Sequence, residues 1–255
     1  MGNEVSIFIM DVSRSSKISN GQVLSRYLES LSLDVKNWCK DTVTVQISHR
    51  AGDELVVAVE GYSTAYTIAF YISRLWKFPE QRPYFGITFG DIEDDLKSID
   101  LNTWIHPLMK QARKANDELK KEHPHPECRF QLLPVLNENH HPASYNSFET
   151  LINSNLQLQQ ELINQQTDIQ SVVCALYLIL GKQNKVSEHL GRTTATISHH
   201  MKQGKTTLIL SAFHDILCVL ESLEKKEHPP IKQLHGNIRS RVTYQLDNHF
   251  PKERS

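Results

Sequence analysis

The chain has 255 residues, 39% of them apolar and 22% charged, which is the balance of a globular protein. No window approaches the roughly 18 uninterrupted apolar residues needed to cross a bilayer, and no basic stretch followed by an apolar one opens the chain. Membrane insertion and export are therefore not expected, and a cytoplasmic location is. Net charge is −1, but it is unevenly spread. Residues 166–255 carry 12 Lys and Arg against 8 Asp and Glu, which leaves residues 1–165 at −5. The basic part is where a phosphate backbone could be met.

The four cysteines, Cys39, Cys128, Cys174 and Cys218, lie far apart with no C-x-x-C pair. They read as core thiols rather than as a zinc or redox site. Residues 1–6 formally match an N-myristoylation pattern, but Val5 already belongs to an apolar strand.

Residues 5–10 form a short apolar run ending at Asp11, the pattern of a buried strand. After a break rich in Ser and Gly, Val23, Leu24, Tyr27, Leu28, Leu31, Val35 and Trp38 recur at spacings of three and four and predict a helix. Residues 43–49 alternate, a turn at 50–53 follows, and 55–59 return, so a β-hairpin is expected. Next come a helix at about 64–76, a strand at 84–90 with glycines at both ends of its core, a helix at about 102–121 and a strand at 128–133. The order β-α-β-β-α-β-α-β predicts an α+β protein with a ferredoxin-like core and additions.

From about Leu136 the composition turns to Asn, His, Gln and Ser, and an interdomain linker is expected. Phe148, Leu151, Leu158, Leu162 and Ile169 fall on a heptad seam interrupted by Asn155 and Gln165. It suits either a short dimeric coiled coil or one amphipathic helix packed on its own domain. The expected organisation is an α/β domain at 1–135, a linker and possible dimerisation helix at 136–165, an all-α DNA-binding domain at 166–228, and a loosely ordered basic tail at 229–255.

Two constellations carry chemistry. The first is Asp11, at the end of the first strand, with Asp53 in the hairpin turn. In a ferredoxin-like sheet both emerge at one edge, where two carboxylates could hold Mg²⁺ on the phosphates of a nucleotide. Ser13 and Arg14 follow Asp11 and offer a backbone N–H, a hydroxyl and a guanidinium to phosphate oxygens. Taken alone, Asp11 and Asp53 are each explained better by a bare turn-forming role.

The second is a helix-turn-helix frame opening at Gln183. Val186, Leu190, Ile197 and Met201 are its apolar positions, Ser187 is small where two helices would cross, and Gly191 stands where the turn needs a positive φ. The second helix then presents Thr193, Thr194, Thr196, His199 and Lys202 outward, flanked by Arg192 and Lys205. Hydroxyl, imidazole and cationic groups in such places make base-edge and phosphate contacts with double-stranded DNA. His189, His199 and His200 lack an acidic or Cys partner and read as solvated. A helical bundle serving only partner binding is the plainer alternative.

Three motifs in order, Phe-Ile-Met-Asp-Val-Ser, Ala-Gly-Asp-Glu-Leu-Val and Tyr-Phe-Gly-Ile-Thr-Phe-Gly-Asp-Ile, resemble the metal-Asp strand, the Gly-Asp hairpin and the Gly-Ile-x-x-Gly strand of class III nucleotidyl cyclases. The chain is similar over most of its length to the bacterial SatD family, which combines that motif order with a C-terminal helix-turn-helix. The resemblance implies a cyclase-like fold with Asp11 and Asp53 in the two metal-ligand positions. It departs at His49, where cyclases carry a Lys, and at His106 and Lys110, the nearest counterparts of a transition-state Asn and Arg. Lys lacks the planar bidentate clamp of Arg on a phosphoryl group, so cyclisation is disfavoured. The expected function is a homodimeric DNA-binding regulator of transcription whose N-terminal domain senses a nucleotide or serves as an assembly platform. The alternative is a divergent Mg²⁺-dependent nucleotide cyclase or phosphotransferase.

Overall fold

A computed structural model of the chain describes residues 2–13, 21–50, 53–121, 126–132, 142–225 and 231–251. Five strands, β1 (Asn3–Val12), β2 (Val45–Arg50), β3 (Glu54–Glu60), β4 (Pro83–Ile92) and β5 (Cys128–Phe130), form one mixed sheet in the order β2-β3-β1-β4-β5. β1 lies antiparallel between β3 and β4, β2 pairs antiparallel with β3, and β5 adds parallel to β4. The protein is therefore α+β, as the alternation of patterns predicts.

Both faces of the sheet are covered, which explains why β1 reads as an apolar run rather than as an alternation. Phe8, Met10 and Val12 point into a core shared with α1 (Gly21–Cys39) and α2 (Thr64–Leu75). Val5, Ile7 and Ile9 point the other way, into a smaller core with Leu108, Met109 and Ala112 of α3 (Pro107–Leu119). That third helix starts later than its apolar pattern suggests. His106 caps it by accepting from the Leu108 N–H at 3.2 Å, Pro107 opens it, and residues 96–104 make a 3-10 turn and a second turn instead.

The remaining helices are α4 (Pro142–Asn164), α5 (Asp168–Leu180), α6 (Gln183–Leu190), α7 (Thr194–Gln203), α8 (Thr206–Ser222), α9 (Ile231–Tyr244) and α10 (Leu246–His249). A capping box starts α5: the Thr167 hydroxyl accepts from the first turn, and the Thr167 N–H donates to Gln170 Oε1 at 3.1 Å. The heptad seam is thus cut between Leu162 and Ile169. Along α4, Ile152, Leu156 and Ile163 are the buried apolar positions, one step round the helix from the seam, and Leu151 and Leu158 each stay 70% exposed. The proposed linker residues up to 141 lie outside the described residues, and the helix begins at Pro142.

The two halves share one apolar core. Phe213 of α8 stacks on Phe70 of α2, with centroids 4.0 Å apart and planes at 12°, and lies 5.4 Å from Tyr66. The Tyr66 hydroxyl donates to Gln159 Oε1 at 3.1 Å, and Gln159 Nε2 donates to the Ile209 carbonyl at 2.8 Å, so a buried polar bridge links α2, α4 and α8. At the far end of α8, Glu224 accepts the Tyr62 N–H at 2.6 Å and the Ser63 N–H at 3.4 Å, placing a carboxylate on the N-terminus of α2.

Three expectations are corrected. The tail is not loose: α9 buries Leu234, Ile238 and Val242, because these residues recur at helical spacing and find α1 and α5 to pack on. Cys218 is exposed, whereas Cys39, Cys128 and Cys174 are core thiols; burial pushes Cys39 up to about 12. His189 is not solvated, since its ring Nε2 lies 2.9 Å from the Phe250 carbonyl beneath α10. No helix among the described residues is long and apolar enough to cross a membrane.

Candidate functional site

The sheet gathers a set of charged groups at the end of β1. Asp11 is paired in register with Tyr84 of β4, and Asp53 sits in the turn that opens β3. Burial, then Asp11, Asp53 and Asp117, push the Tyr84 phenol far above its usual range. The two aspartates singled out from sequence thus stand at ends of neighbouring strands, and both act electrostatically on Tyr84. They are not bare, however. Lys120, just past the end of α3, reaches Asp11 Oδ2 at 2.7 Å, and Asp11 Oδ1 accepts the Val12 N–H at 2.9 Å.

Next to them, Arg113 grips Glu54 through two bonds of 2.9 and 3.0 Å, while Arg50 donates to the Leu101 carbonyl and lies 3.6 Å from Glu54. A counter-charge of Asp11 thus comes from Lys120, while Arg50 is engaged by Leu101 and Glu54. Arg14 lies outside the described residues. Ser13 donates its N–H to the Arg82 carbonyl at 3.0 Å, which removes that group from phosphate binding. Among the described residues, no group of three or more His, Cys, Asp or Glu side chains is arranged to hold a metal ion. A metal here would rest on Asp11 and Asp53 alone, with phosphate and water completing its shell and Lys120 displaced.

His106 and Lys110 do not join this group. They stand at the N-terminal end of α3, whereas Lys120 follows its last turn, about 20 Å from His106 and about 15 Å from Lys110 along the helix axis. His106 stacks on Trp104 at 4.6 Å, and burial lowers its pKa while Asp94 opposes the shift. His49 on β2 has a buried Nε2 with no hydrogen-bond partner among the described residues. The cyclase-type base and transition-state positions are thus dispersed.

The second candidate site is the helix pair α6 and α7. Val186, Ile197 and Met201 are buried, and Leu190 is half-buried against the same core. Gly191 adopts φ of 62° as the turn requires, and its N–H donates to the Ser187 carbonyl. The Ser187 hydroxyl donates to the Arg192 carbonyl and closes the turn from within, a role its small size permits. Thr193 caps α7 by accepting the Thr196 N–H at 3.2 Å, and the two hydroxyls lie 3.0 Å apart.

Arg192, Thr193, Thr194, His199, Lys202 and Lys205 are all exposed, and Thr196 is half-buried in the cap. Sequence reasoning missed Ala195 and Ser198, which share the exposed face. It also missed Tyr84, Asp117 and Lys120, whose distance along the chain from Asp11 leaves no local signal. Helices α5 and α8 pack on α7 from behind, and among the described residues α7 has no substantial packing against the sheet half.

No family model matches the sequence, and no curated protein matches it.

Proposed function

We propose that the protein is a DNA-binding regulator in which α6 and α7 form a helix-turn-helix and α7 is the recognition helix. The observation that carries this reading is the exposed face of α7. Thr194, Ser198, His199 and Lys202 line it, and Lys202 and Lys205 make no ion pair among the described residues. Helix N-terminal hydroxyls and amide-rich turns suit base and phosphate contacts, and the lysines suit phosphate. The similarity to the SatD family supports the same reading.

After selection of a preferred duplex from a random pool, anisotropy titrations should show affinity falling steeply with salt. Lys202→Ala should weaken binding to every sequence and lower the salt slope by about one. Thr194→Ala should mainly flatten the preference among sequences. Retention on the preferred duplex that neither substitution changes would sink the assignment.

A recognition helix of this type usually works in pairs, reading half-sites about one helical turn apart. Leu151 and Leu158, exposed and seven residues apart on α4, supply an apolar stripe for a second copy. The native chain should therefore sediment as a dimer at micromolar concentration and Leu158→Glu as a monomer. A monomeric mass for the native chain, alone and on DNA, removes the idea.

For the N-terminal part, the strand order β2-β3-β1-β4 with antiparallel neighbours on both sides of β1 supports the ferredoxin-like, cyclase-like reading. The joint electrostatic action of Asp11 and Asp53 on Tyr84 favours a degenerate site for a nucleotide with Mg²⁺ over a catalytic one, because Lys120 already neutralises Asp11. A nucleoside triphosphate with Mg²⁺ should raise the melting temperature by linkage. Asp53→Asn should abolish that rise without lowering the basal transition. A rise that survives Asp53→Asn, or no rise with any of the four common triphosphates, reduces the domain to an assembly platform.

A further inference from the structure

A cleft of about 480 Å³ opens between α5, α8 and α9, a size typical of small-ligand sites. Its apolar lining comes from Leu178 and Tyr177 of α5 and from Leu210 and Phe213 of α8. Leu178 and Phe213 are buried side chains, so this part of the wall belongs to the protein core. The other wall is one face of α9, where Lys232, His235, Gly236 and Arg239 fall at spacings of three and four. His214 of α8 completes the lining.

The charge is one-sided. Four of the ten described lining residues are basic or imidazole side chains, and none is a carboxylate. Lys232 and Arg239 are exposed residues of the lining, and Arg239 also makes a side-chain hydrogen bond with Tyr71. His235 lies deeper: its Nδ1 is 3.1 Å from the Tyr71 hydroxyl of α2, and its ring meets Phe213 edge-on at 5.8 Å. Burial, and then Arg239 and His214, push His235 down to about 4. It is therefore neutral near pH 7, a hydrogen-bonding group rather than a charge.

Two glycines keep the space open. Gly181 ends α5 with φ of 69°, and the nearest atom to a Cβ built there is Arg239 Nη1 at 4.0 Å. Gly236 stands inside α9, where glycine weakens a helix, and a Cβ at that position meets nothing within 4 Å. A larger side chain there would enter the cleft without displacing the fold.

We propose that this cleft binds a small organic anion, a carboxylate or phosphate group carried on a flat apolar body. The apolar body lies against Phe213, Leu178 and Tyr177, and the anionic group is held by Arg239 and Lys232. Arg239 suits this role because its guanidinium presents several donors to planar or tetrahedral oxyanions. Two of the three helices around the cleft, α5 and α8, also hold α7, and His235 ties the cleft to α2 of the sheet half through Tyr71. Occupancy does not depend on whether α7 meets DNA, so the test below can fail or succeed apart from the DNA titrations.

The test uses the full chain at neutral pH with 8-anilinonaphthalene-1-sulfonate, an aromatic anion whose fluorescence reports binding. One dye per chain should bind, and the uncharged N-phenyl-1-naphthylamine should bind at least about ten-fold more weakly. Gly236→Leu, which fills the cleft, and Arg239→Gln, which removes the anion partner, should each cost about ten-fold or more in dye affinity. The thermal transition of both variants should stay that of the native chain. Benzoate and phenyl phosphate should each displace the dye, and the one acting at lower concentration identifies the head group. Equal binding of the two dyes, or undiminished dye binding by Gly236→Leu, overturns the proposal. Should Gly236→Leu not fold, undiminished binding by Arg239→Gln overturns it as well.

Discussion

Phe213→Ala should lower the melting temperature by about 10 °C while leaving a single calorimetric transition. Phe213 is 4% exposed and stacks on Phe70, and Tyr66 and His235 lie against it. Truncating a buried Phe removes its transfer free energy and leaves a cavity, at a combined cost of about 3–5 kcal/mol. In a chain of this size each kcal/mol lowers the transition by about 2–4 °C. The effect should be global rather than confined to α8. Phe213 joins the helical half to α2, and the Tyr66–Gln159–Ile209 bridge runs beside it. Two resolved transitions in the native chain, or a shift under about 3 °C in the variant, would show that the halves are not energetically joined through this contact. Phe213→Leu, which keeps most of the volume, should cost less than half as much.

Gly86→Ala should be at least as damaging, by a mechanism of the opposite sign. A Cβ at Gly86 would sit 2.3 Å from the Ala112 carbonyl oxygen and 2.3 Å from the Asn116 nitrogen, both backbone atoms of α3. Neither can rotate away, so α3 itself must lift off β4. The lift would strain the bond from Asn116 Nδ2 to the Ile9 carbonyl, now 3.2 Å, and the seating of Ala112 in the smaller core. Overpacking against movable side chains costs about 1–3 kcal/mol, and here the obstacle is rigid, so about 3 kcal/mol or more is expected. Soluble yield and the urea midpoint check it. Gly90→Ala in the same strand provides the contrast: its Cβ would meet only the Leu108 side chain, at 3.0 Å, and Leu108 can shift. Equal midpoints for the two variants would refute the close-approach explanation.

The local elements were legible because they depend on neighbours in sequence. Apolar spacing located α1, α2, β1 and β4, and the turn residues located the hairpin. Gly191 marked a positive φ correctly, since the steric demand of a turn is set by that residue itself. The surface of α7 was also foreseeable, because 3.6-residue periodicity fixes which side chains oppose Ile197 and Met201.

Other features are contacts between residues a hundred or more positions apart, and only the tertiary structure decided them. Lys120 on Asp11, Glu224 on the N-terminus of α2 and Phe213 on Phe70 have no signature in spacing, because the sheet order and the return of α8 bring them together. The tail illustrates the same limit. Ile231–Tyr244 is too short and too polar to hold as an isolated helix, and it becomes α9 because α1 and α5 offer an apolar surface to Leu234, Ile238 and Val242. That docking also creates the cationic cleft. Lys232, His235 and Arg239 look like ordinary surface charges in the sequence, and they face Phe213 and Tyr177 only once burial of the opposite face of α9 has fixed its rotation.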